Sequence, residues 1–430
     1  MQWPERFIYV CNATQASIVN ILPLVHAGIE RVAEVFIFCG APNIEHLDDR
    51  LKREAIDPAL RLVKSIEELA SKQSNPPKVH IRFGDDSKFF DWANQMGLIC
   101  FDARQISLPV LYNLTGGRKP MSIGGIIGGK SQPLLLNVAG SPLRVEFLLE
   151  ERQIEAKRHA EVSLDSYLAA YNLIETDEDG RSRSEKYYVG NAAIIDAFAT
   201  RLLSHEIPLI SIMMNVTRDL IDAKGKLAGP KEYIFDTLNL ADHVRAAFEE
   251  AVSELAKLKG LQLTLDENGK TIGFTISNYN VARLIRGGWL EAAIFNRLKR
   301  IARARNDVSV FANVKLAFKS VSTRLTAAEI DVALMIGSQL HLVEAKTAGF
   351  VGKEAKKGNE RSLAQTESIK RLLLGQFGTS IVVNPRESEK ELDQQGNFTR
   401  RAREGGIHLL LGPSALDDLE KEFQALLELR

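Results

Sequence analysis

The chain has 430 residues, 45% of them apolar and 26% charged, with 55 basic side chains balancing 55 acidic ones. That length predicts two or three domains, and the composition is that of a soluble globular protein able to bury sizeable cores. A formal net charge of zero leaves any binding to nucleic acid or membrane to local patches. Three cysteines, Cys11, Cys39 and Cys100, lie on or near apparent strands without paired spacing. This argues against a disulfide framework or a cysteine zinc site and suits a reducing compartment. Neither a signal-peptide pattern nor an apolar run of spanning length is found, so a cytoplasmic protein with no membrane partner is expected.

In residues 1–150, apolar runs at 6–12, 34–40, 78–84 and 109–115 alternate with amphipathic stretches such as 45–72, and "PLLLNVA" at 133–139 adds a fifth candidate strand. Apolar runs separated by helical segments predict βαβ units and a parallel sheet covered on both faces, a Rossmann-like α/β domain. Such sheets bind ligands beyond the C-terminal ends of their strands. Two turns there are polar: "CNATQAS" offers Asn12, Thr14 and Gln15, and "NLTGGRKPM" offers Asn113, Thr115, Gly116, Gly117, Arg118 and Lys119. Glycines admit a close backbone approach and a helix N-terminus attracts anions, so these turns suit a phosphate; a plain strand-to-helix turn with a solvated lysine is the alternative. The dinucleotide G-x-G-x-x-G is absent after the first strand, which disfavours an NAD-type oxidoreductase.

"GGIIGGKS" at 124–131 satisfies the phosphate-loop pattern G-x-x-x-x-G-K-[ST], but it does not follow a strand and open a helix as that motif requires. Its glycines are read as close backbone packing. Residues 151–270 form a connecting domain, helical or winged-helix-like, in which the charged stretch 175–186 reads as a solvated loop. "LTLDENGKTIGFTI" at 263–276 reads as a hairpin around Asn268-Gly269.

The third domain, residues 271–430, carries the chemistry. "AEIDVALMIGSQLHLVEAKT" at 328–347 is two apolar runs around Gly337-Ser338, a two-residue hairpin turn that pairs Ile336 with Gln339. The register then sets Asp331 opposite Glu344 and Glu329 opposite Lys346. Val332, Leu334 and Val343 line one face, and Ala333, Leu340 and Leu342 the other. Two acids opposed on buried strands repel unless a cation lies between them, and a hard divalent ion is the natural choice. Lys346 would orient a metal-bound water or stabilise charge on a phosphate. A buried ion-pair cluster is the alternative, and it accounts for Glu329 and Lys346 better than for the opposed acids.

A helical stripe of Leu290, Ala293, Ile294, Leu298 and Ile301 in 286–304 carries Glu291 at its border, either as a third acid for the site or as a first-turn acid complementing the helix dipole. Helix (360–374), strand (379–385), helix, strand (407–412) and a closing helix follow. Arg297, Lys299, Arg300, Arg303 and Arg305 on the Glu291 helix, and Lys353, Lys356, Lys357 and Arg361 after the Glu-x-Lys strand, would grip phosphates or form solvated basic faces.

An acid on a helix followed by Asp-x12-Glu-x-Lys on a hairpin resembles the PD-(D/E)xK restriction-endonuclease-like fold, here as Glu291, Asp331, Glu344 and Lys346. "NLTGGRKPM" resembles the signature of CARF domains, the sensors of cyclic oligoadenylate in type III CRISPR defence. Together the chain is similar, in order and along essentially its whole length, to the CARF–nuclease ancillary effectors of those systems. The resemblance implies a homodimer that binds a cyclic oligoadenylate, cyclic tetra-adenylate in the first instance, across its two-fold axis. Binding would switch on Mn²⁺- or Mg²⁺-dependent cleavage of DNA or RNA. It assigns Asn12, Thr14, Gln15, Asn113, Thr115, Gly116, Gly117 and Lys119 to the ligand. Asp331, Glu344 and Glu291 fall to the metal, Lys346 to catalysis, and Gln365 either to support of the site or to an exposed helix position. The chain departs from the usual pattern at Ala345, where a cysteine is common, and at Arg118 within the turn. Two other readings compete: a CARF-type regulator that binds nucleic acid without cutting it, and a scaffold with a degenerate nuclease domain.

Overall fold

The computed structural model describes residues 3–14, 17–40, 49–85, 87–116, 119–130, 134–139, 144–147, 162–169, 171, 173–204, 231–236, 242–265, 271–318, 328–337, 339–347, 366–370, 373, 378–385 and 398–428. It begins with β1 (Phe7–Asn12), α1 (Ile18–Ala27), β2 (Val32–Gly40), α2 (Asp49–Leu69), β3 (Lys78–Gly84), α3 (Phe89–Gln105), β4 (Val110–Asn113), α4 (Lys119–Gly129), β5 (Leu134–Ala139) and β6 (Arg144–Phe147). These strands lie in the order β3-β2-β1-β4-β5-β6, parallel except for β6, which runs antiparallel to β5. Every residue of β1 is buried, because helices cover both faces. Phe7, Tyr9 and Cys11 pack with α1 and α2, whereas Ile8 and Val10 pack against Trp92 and Met96 of α3 and Met121 of α4. The strand order reverses between β1 and β4, which opens the crevice at their C-terminal ends where such sheets bind ligands. The two polar turns lie there.

The glycines of the false phosphate loop belong to α4. A Cβ on Gly128 would overlap the Ala93 carbonyl of α3, one on Gly124 the Phe89 carbonyl, and one on Gly125 the Tyr112 ring. They are packing residues, as the sequence reading held. Cys100 lies in α3 rather than on or near a strand, and all three cysteines are buried thiols.

The chain continues with α5 (Leu164–Ala169), β7 (Leu173–Glu175), α6 (Glu178–Gly190), α7 (Ala192–Ser204), β8 (Lys231–Asp236), α8 (Asp242–Ala256), β9 (Leu261–Leu265) and β10 (Thr271–Ile276). Strands β8, β10 and β9 form an antiparallel sheet, with Leu265 paired to Ile272 across the expected hairpin, whose Asn268-Gly269 turn lies outside the described residues. The stretch 175–186 is not a loop. Asp177 caps α6 by accepting from the Gly180 N–H at 3.1 Å, with Glu178 and Asp179 in the first turn, a helix-start signal that its charge density obscured.

The C-terminal part has α9 (Tyr279–Arg283), a π turn (Leu284–Gly288), α10 (Trp289–Ala302), β11 (Val308–Phe318), β12 (Ala328–Ile336), β13 (Gln339–Ala345), β14 (Ser380–Asn384), α11 (Phe398–Glu404), β15 (Ile407–Leu411) and α12 (Ala415–Glu428). Its sheet has the order β15-β14-β13-β12-β11-β7. The edge strand β7 comes from residues 173–175, so the expected connecting segment supplies part of this sheet. Among the described residues no helix is long and apolar enough to cross a membrane.

Substituting Gly128→Ala is expected to cost at least about 1–3 kcal/mol through overpacking, seen as an earlier thermal transition by circular dichroism. Gly190→Ala, where a new Cβ meets nothing within 4 Å, is the control and should melt as wild type or slightly later. Equal melting of the two variants would rule out the close α3–α4 contact.

Candidate active site

The hairpin is built as its sequence dictates. Gly337 adopts φ 58°, the left-handed conformation a tight turn needs, and the ladder runs from Ile336↔Gln339 to Val332↔Val343 in the expected register. Val332, Leu334 and Val343 pack with α10, while Ala333, Leu340 and Leu342 join the core that contains α2 and α5. Beyond Val343 a side chain takes over from the ladder: Asp331 Oδ2 accepts the Ala345 N–H at 2.8 Å. Glu344 pairs with Val382 of β14, and the Lys346 N–H donates to the Val383 carbonyl at 2.9 Å. The Lys346 ammonium is bonded to Glu344 Oε1.

Glu291 enters from the first turn of α10. The preceding π turn contains Gly287 at φ 130°, where a Cβ would lie 2.8 Å from Thr347 Oγ1, so only glycine lets α10 start beside the end of the hairpin. Arg283, the last residue of α9, donates from Nη2 to Glu291 Oε2 at 3.0 Å and to Asn313 Oδ1, and lies 3.9 Å from Glu329 Oε1. Glu329 therefore faces Arg283, and its ladder partner is Lys315 of β11. This corrects the expectation that Glu329 meets Lys346: the β12–β13 ladder ends before either residue, and Lys346 turns to Glu344.

Electrostatics follow from that crowding. Burial pushes the Asp331 carboxyl well above the ordinary 3.8, and the negative charges of Glu344 and Glu291 push it further. Burial likewise raises Glu291; Arg283 opposes this, while Glu329 and Glu344 add to it. For Lys346 burial disfavours the charged form, but Glu344 and Asp331 outweigh it and hold the ammonium above the ordinary lysine range.

Glu291, Asp331, Glu344 and Lys346 thus lie near enough for their charges to act on one another. Three hard carboxylates suit Mg²⁺ or Mn²⁺ by donor chemistry, although among the described residues no three acidic, histidine or cysteine side chains are gathered as a ready coordination sphere. Glu344 and Glu291 each give one oxygen to a protein cation. Gln365, Lys353, Lys356, Lys357 and Arg361 lie outside the described residues.

Two arginines of α10, and Arg305 just beyond its end, are taken up in ion pairs. Arg297 pairs with Asp417 and Glu420 of α12, Arg300 with Glu420 and Asp196, and Arg305 with Asp307. Arg297 and Arg300 thereby tie α10 to α12 and α7, and for these two the expected phosphate grip gives way to ion pairs. Arg283 and Asn313 escaped the sequence reading. The only available signal was an asparagine inside the otherwise strand-like run 308–318.

At the other end of the chain, Asn12 and Asn113 are fully buried behind the two polar turns. Asn12 Nδ2 donates to the Gly116 carbonyl (3.4 Å) and Ser122 Oγ (3.3 Å), and its Oδ1 accepts from the Tyr112 hydroxyl at 3.1 Å. Asn113 donates to the Tyr9 hydroxyl, the Val19 carbonyl and Asn20 Oδ1, and accepts the Thr115 N–H. Thr115 Oγ1 accepts the Val138 N–H at 2.5 Å. Gly116, at φ 80°, abuts Thr14, so the two turns meet. Lys119 is exposed at the start of α4; Gln15, Gly117 and Arg118 lie outside the described residues.

Comparison with known proteins agrees with this geometry. Residues 278–428 match a family model described as "Card1-like, endonuclease domain", so the acids and Lys346 sit in an endonuclease domain of that kind. No curated protein matches the chain. Among solved structures, protein VC1899 from Vibrio cholerae overlays with TM-score 0.68 at 16% identity, over 97% of each chain. Can2 from Sulfobacillus thermosulfidooxidans in complex with cyclic tetra-adenylate overlays with TM-score 0.61 at 16% identity, over 97% of this chain and 99% of that one. The chain therefore has the α/β fold of these proteins, a Rossmann-like parallel sheet followed by a second, mixed sheet.

The sign of the Asp331 shift makes a prediction for the chelated protein. A carboxyl whose folded pKa lies above its unfolded value holds its proton more tightly when folded, so its contribution to stability is lost as pH rises from the ordinary carboxylate range through the folded value. Asp331→Asn keeps an acceptor for the Ala345 N–H and removes the charge. In chelator it should melt above wild type at pH 7–8, with the difference fading towards pH 4. A variant less stable than wild type at pH 7–8 would contradict the burial of that charge.

Proposed function

We propose that the protein is a nuclease activated by cyclic oligoadenylate, cyclic tetra-adenylate in the first instance, cutting DNA or RNA with Mn²⁺ or Mg²⁺ in type III CRISPR antiviral defence. The observation that carries this reading is the convergence of Asp331, Glu344, Glu291 and Lys346 inside a Card1-like endonuclease domain. The Rossmann-like sheet of the same chain carries its polar turns at the β1–β4 switch point. Asp331, Glu344 and Glu291 are the residues to hold the divalent ion. When bound, such an ion polarises the phosphate and lowers the pKa of its water. Lys346, kept charged by its acidic neighbours, donates to a non-bridging phosphate oxygen as negative charge builds there. At the sensor, Gly116 admits the ligand backbone, and Lys119 with the first N–H groups of α4 meets a phosphate.

A homodimer fits the same reading. The paired helices α3 and α4 leave Phe90 (66% exposed), Leu98 (65%), Phe101 (53%), Ile123 (49%) and Ile127 (52%) towards solvent. An apolar patch of this kind marks an interface. Because α4 starts at the sensor turn, a second copy seated on it brings two turns together about a two-fold axis, matching a symmetric ring.

The function is tested by incubating the protein with Mn²⁺, a panel of cyclic oligoadenylates and labelled RNA and DNA. Wild type should cut only with ligand and metal, Glu344→Ala should fold and not cut, and Lys346→Ala should lose roughly 10²–10³-fold in rate. Lys119→Ala should need roughly 10–100-fold more ligand, the worth of one charge-assisted hydrogen bond. Glu344→Ala cutting at the wild-type rate would overturn the site. Nucleic-acid binding without cutting under any of these conditions would favour the regulator reading.

Sedimentation tests the dimer. Wild type should sediment as a dimer at micromolar concentration, and a Leu98→Asp/Phe101→Asp double variant as a folded monomer. A wild-type monomer with and without ligand would exclude the arrangement.

A further inference from the structure

We propose that Arg283 is the built-in second cation of the nuclease site, doing for Glu291 and Glu329 what a second divalent ion would do, so that the site takes one ion per protomer. The inference rests on the metal-dependent reading above and concerns how many ions that site accepts. Its basis is geometric. Arg283 stands between two acids that the metal assignment leaves unequal: it bonds Glu291 Oε2 at 3.0 Å and lies 3.9 Å from Glu329 Oε1. Both the guanidinium and Glu291 are largely withdrawn from water, with side chains 21% and 19% exposed. Glu329 belongs to the same group of acids, since its charge and that of Glu344 act on Glu291, while Glu291 and Glu344 act on Asp331.

The backbone is shaped to hold this cation. Asn313 sits inside β11 at φ 58°, and the β11–β12 ladder steps from Ala312↔Val332 to Val314↔Ile330 across it. An asparagine tolerates that conformation better than other non-glycine residues, yet a left-handed residue within a strand is strained. The distortion places Asn313 Oδ1 on the Arg283 guanidinium, and its Nδ2 donates to the Tyr188 hydroxyl at 3.4 Å. From the other side, the π turn at Leu284–Gly288 separates α9 from α10, so Arg283 and Glu291 are brought together by a kink and not by one helical register. A surface ion pair would need neither device.

Charge counting points the same way. Glu291, Glu329, Asp331 and Glu344, when ionised, face Arg283 and Lys346, which leaves two net negative charges for one divalent ion to neutralise. An arginine cannot be deprotonated in a protein, so Arg283, with Nη2 bonded to Glu291 and 3.9 Å from Glu329, is a permanent cation between them.

The test is a Mn²⁺ titration of the full-length protein with cyclic tetra-adenylate present, read by calorimetry and by electron paramagnetic resonance. Wild type should bind one ion per protomer, Arg283→Gln should bind two with dipolar coupling between them, and Arg283→Lys should return to one. Glu329→Gln, at a half-exposed position, should weaken the ion by less than tenfold, below the ~10–100-fold range that marks a ligand or its direct support. Two ions on wild type, one ion on folded Arg283→Gln, or a tenfold or greater loss in Glu329→Gln would each overturn the inference. Should Arg283→Gln fail to fold, the wild-type stoichiometry and Glu329→Gln decide the matter. Wild type binding no manganese would instead overturn the metal-dependent reading itself, and this inference with it.

Discussion

The C-terminal site depends on one electrostatic constraint: the Asp331 carboxyl, half-buried within β12, is withdrawn from water with two other carboxylates acting on it. Ionised acids in such a place cost several kcal/mol each unless they are paired. The chain answers with protein cations on both sides, Lys346 on Glu344 and Arg283 on Glu291. It also uses the first acid structurally, since Asp331 takes the Ala345 N–H where the ladder stops. Local strain then follows from the need to seat those cations. Gly287 and Asn313 both hold positive-φ backbone, the one four residues before Glu291 and the other against the Arg283 guanidinium. Neither conformation would be chosen by a strand or helix left to its own propensity.

Much of this was legible before any coordinates. The hairpin register was fixed by its turn and by period-two burial, because a slip of one residue would have turned Val332 and Val343 away from the core they share. The parallel sheet was legible because strands buried on both faces read as unbroken apolar runs, as β1 does. What stayed hidden was long-range. Nothing local says that Arg283 meets Glu291 and Asn313, because that meeting depends on a π turn and on a strand thirty residues away in sequence. The arginines of α10 looked free for phosphate for the same reason: their partners, Asp417 and Glu420, lie in the last helix of the chain. Charge density also misled, since Asp177 and its acidic followers cap a helix that polarity alone presents as a loop.

The polar turns after β1 and β4 show a similar division between exposed and supporting residues. Asn12 and Asn113 end adjacent parallel strands, and a polar residue at that position reads naturally as a ligand contact. Their complete burial assigns them to the scaffold, where they fix Gly116 and Thr115 and link both strands to α1 through Tyr9 and Asn20. Thr115 and Gly116, which the buried pair holds in place, are themselves only half-buried. Fixing a turn in this way spends folding energy in advance of any binding there.

The two ends of the chain are joined by packing as well as by sequence. A single apolar core runs from β1, α1 and α2 through Tyr167 and Leu168 of α5 to Ala333, Leu340 and Leu342 on the hairpin that carries the acids. Tyr167 adds a 2.7 Å hydrogen bond to the Leu373 carbonyl. Glu291 and Arg283 come from α10 and α9, which follow β10 through the Asn278 cap and pack on the other face of the same hairpin, against Val332, Leu334 and Val343. The acids are therefore carried on two elements that share a core. A shared core alone does not make a switch; coupling requires an element with two arrangements that both sites bias. The hairpin is not such an element, because its register is locked by burial on both faces.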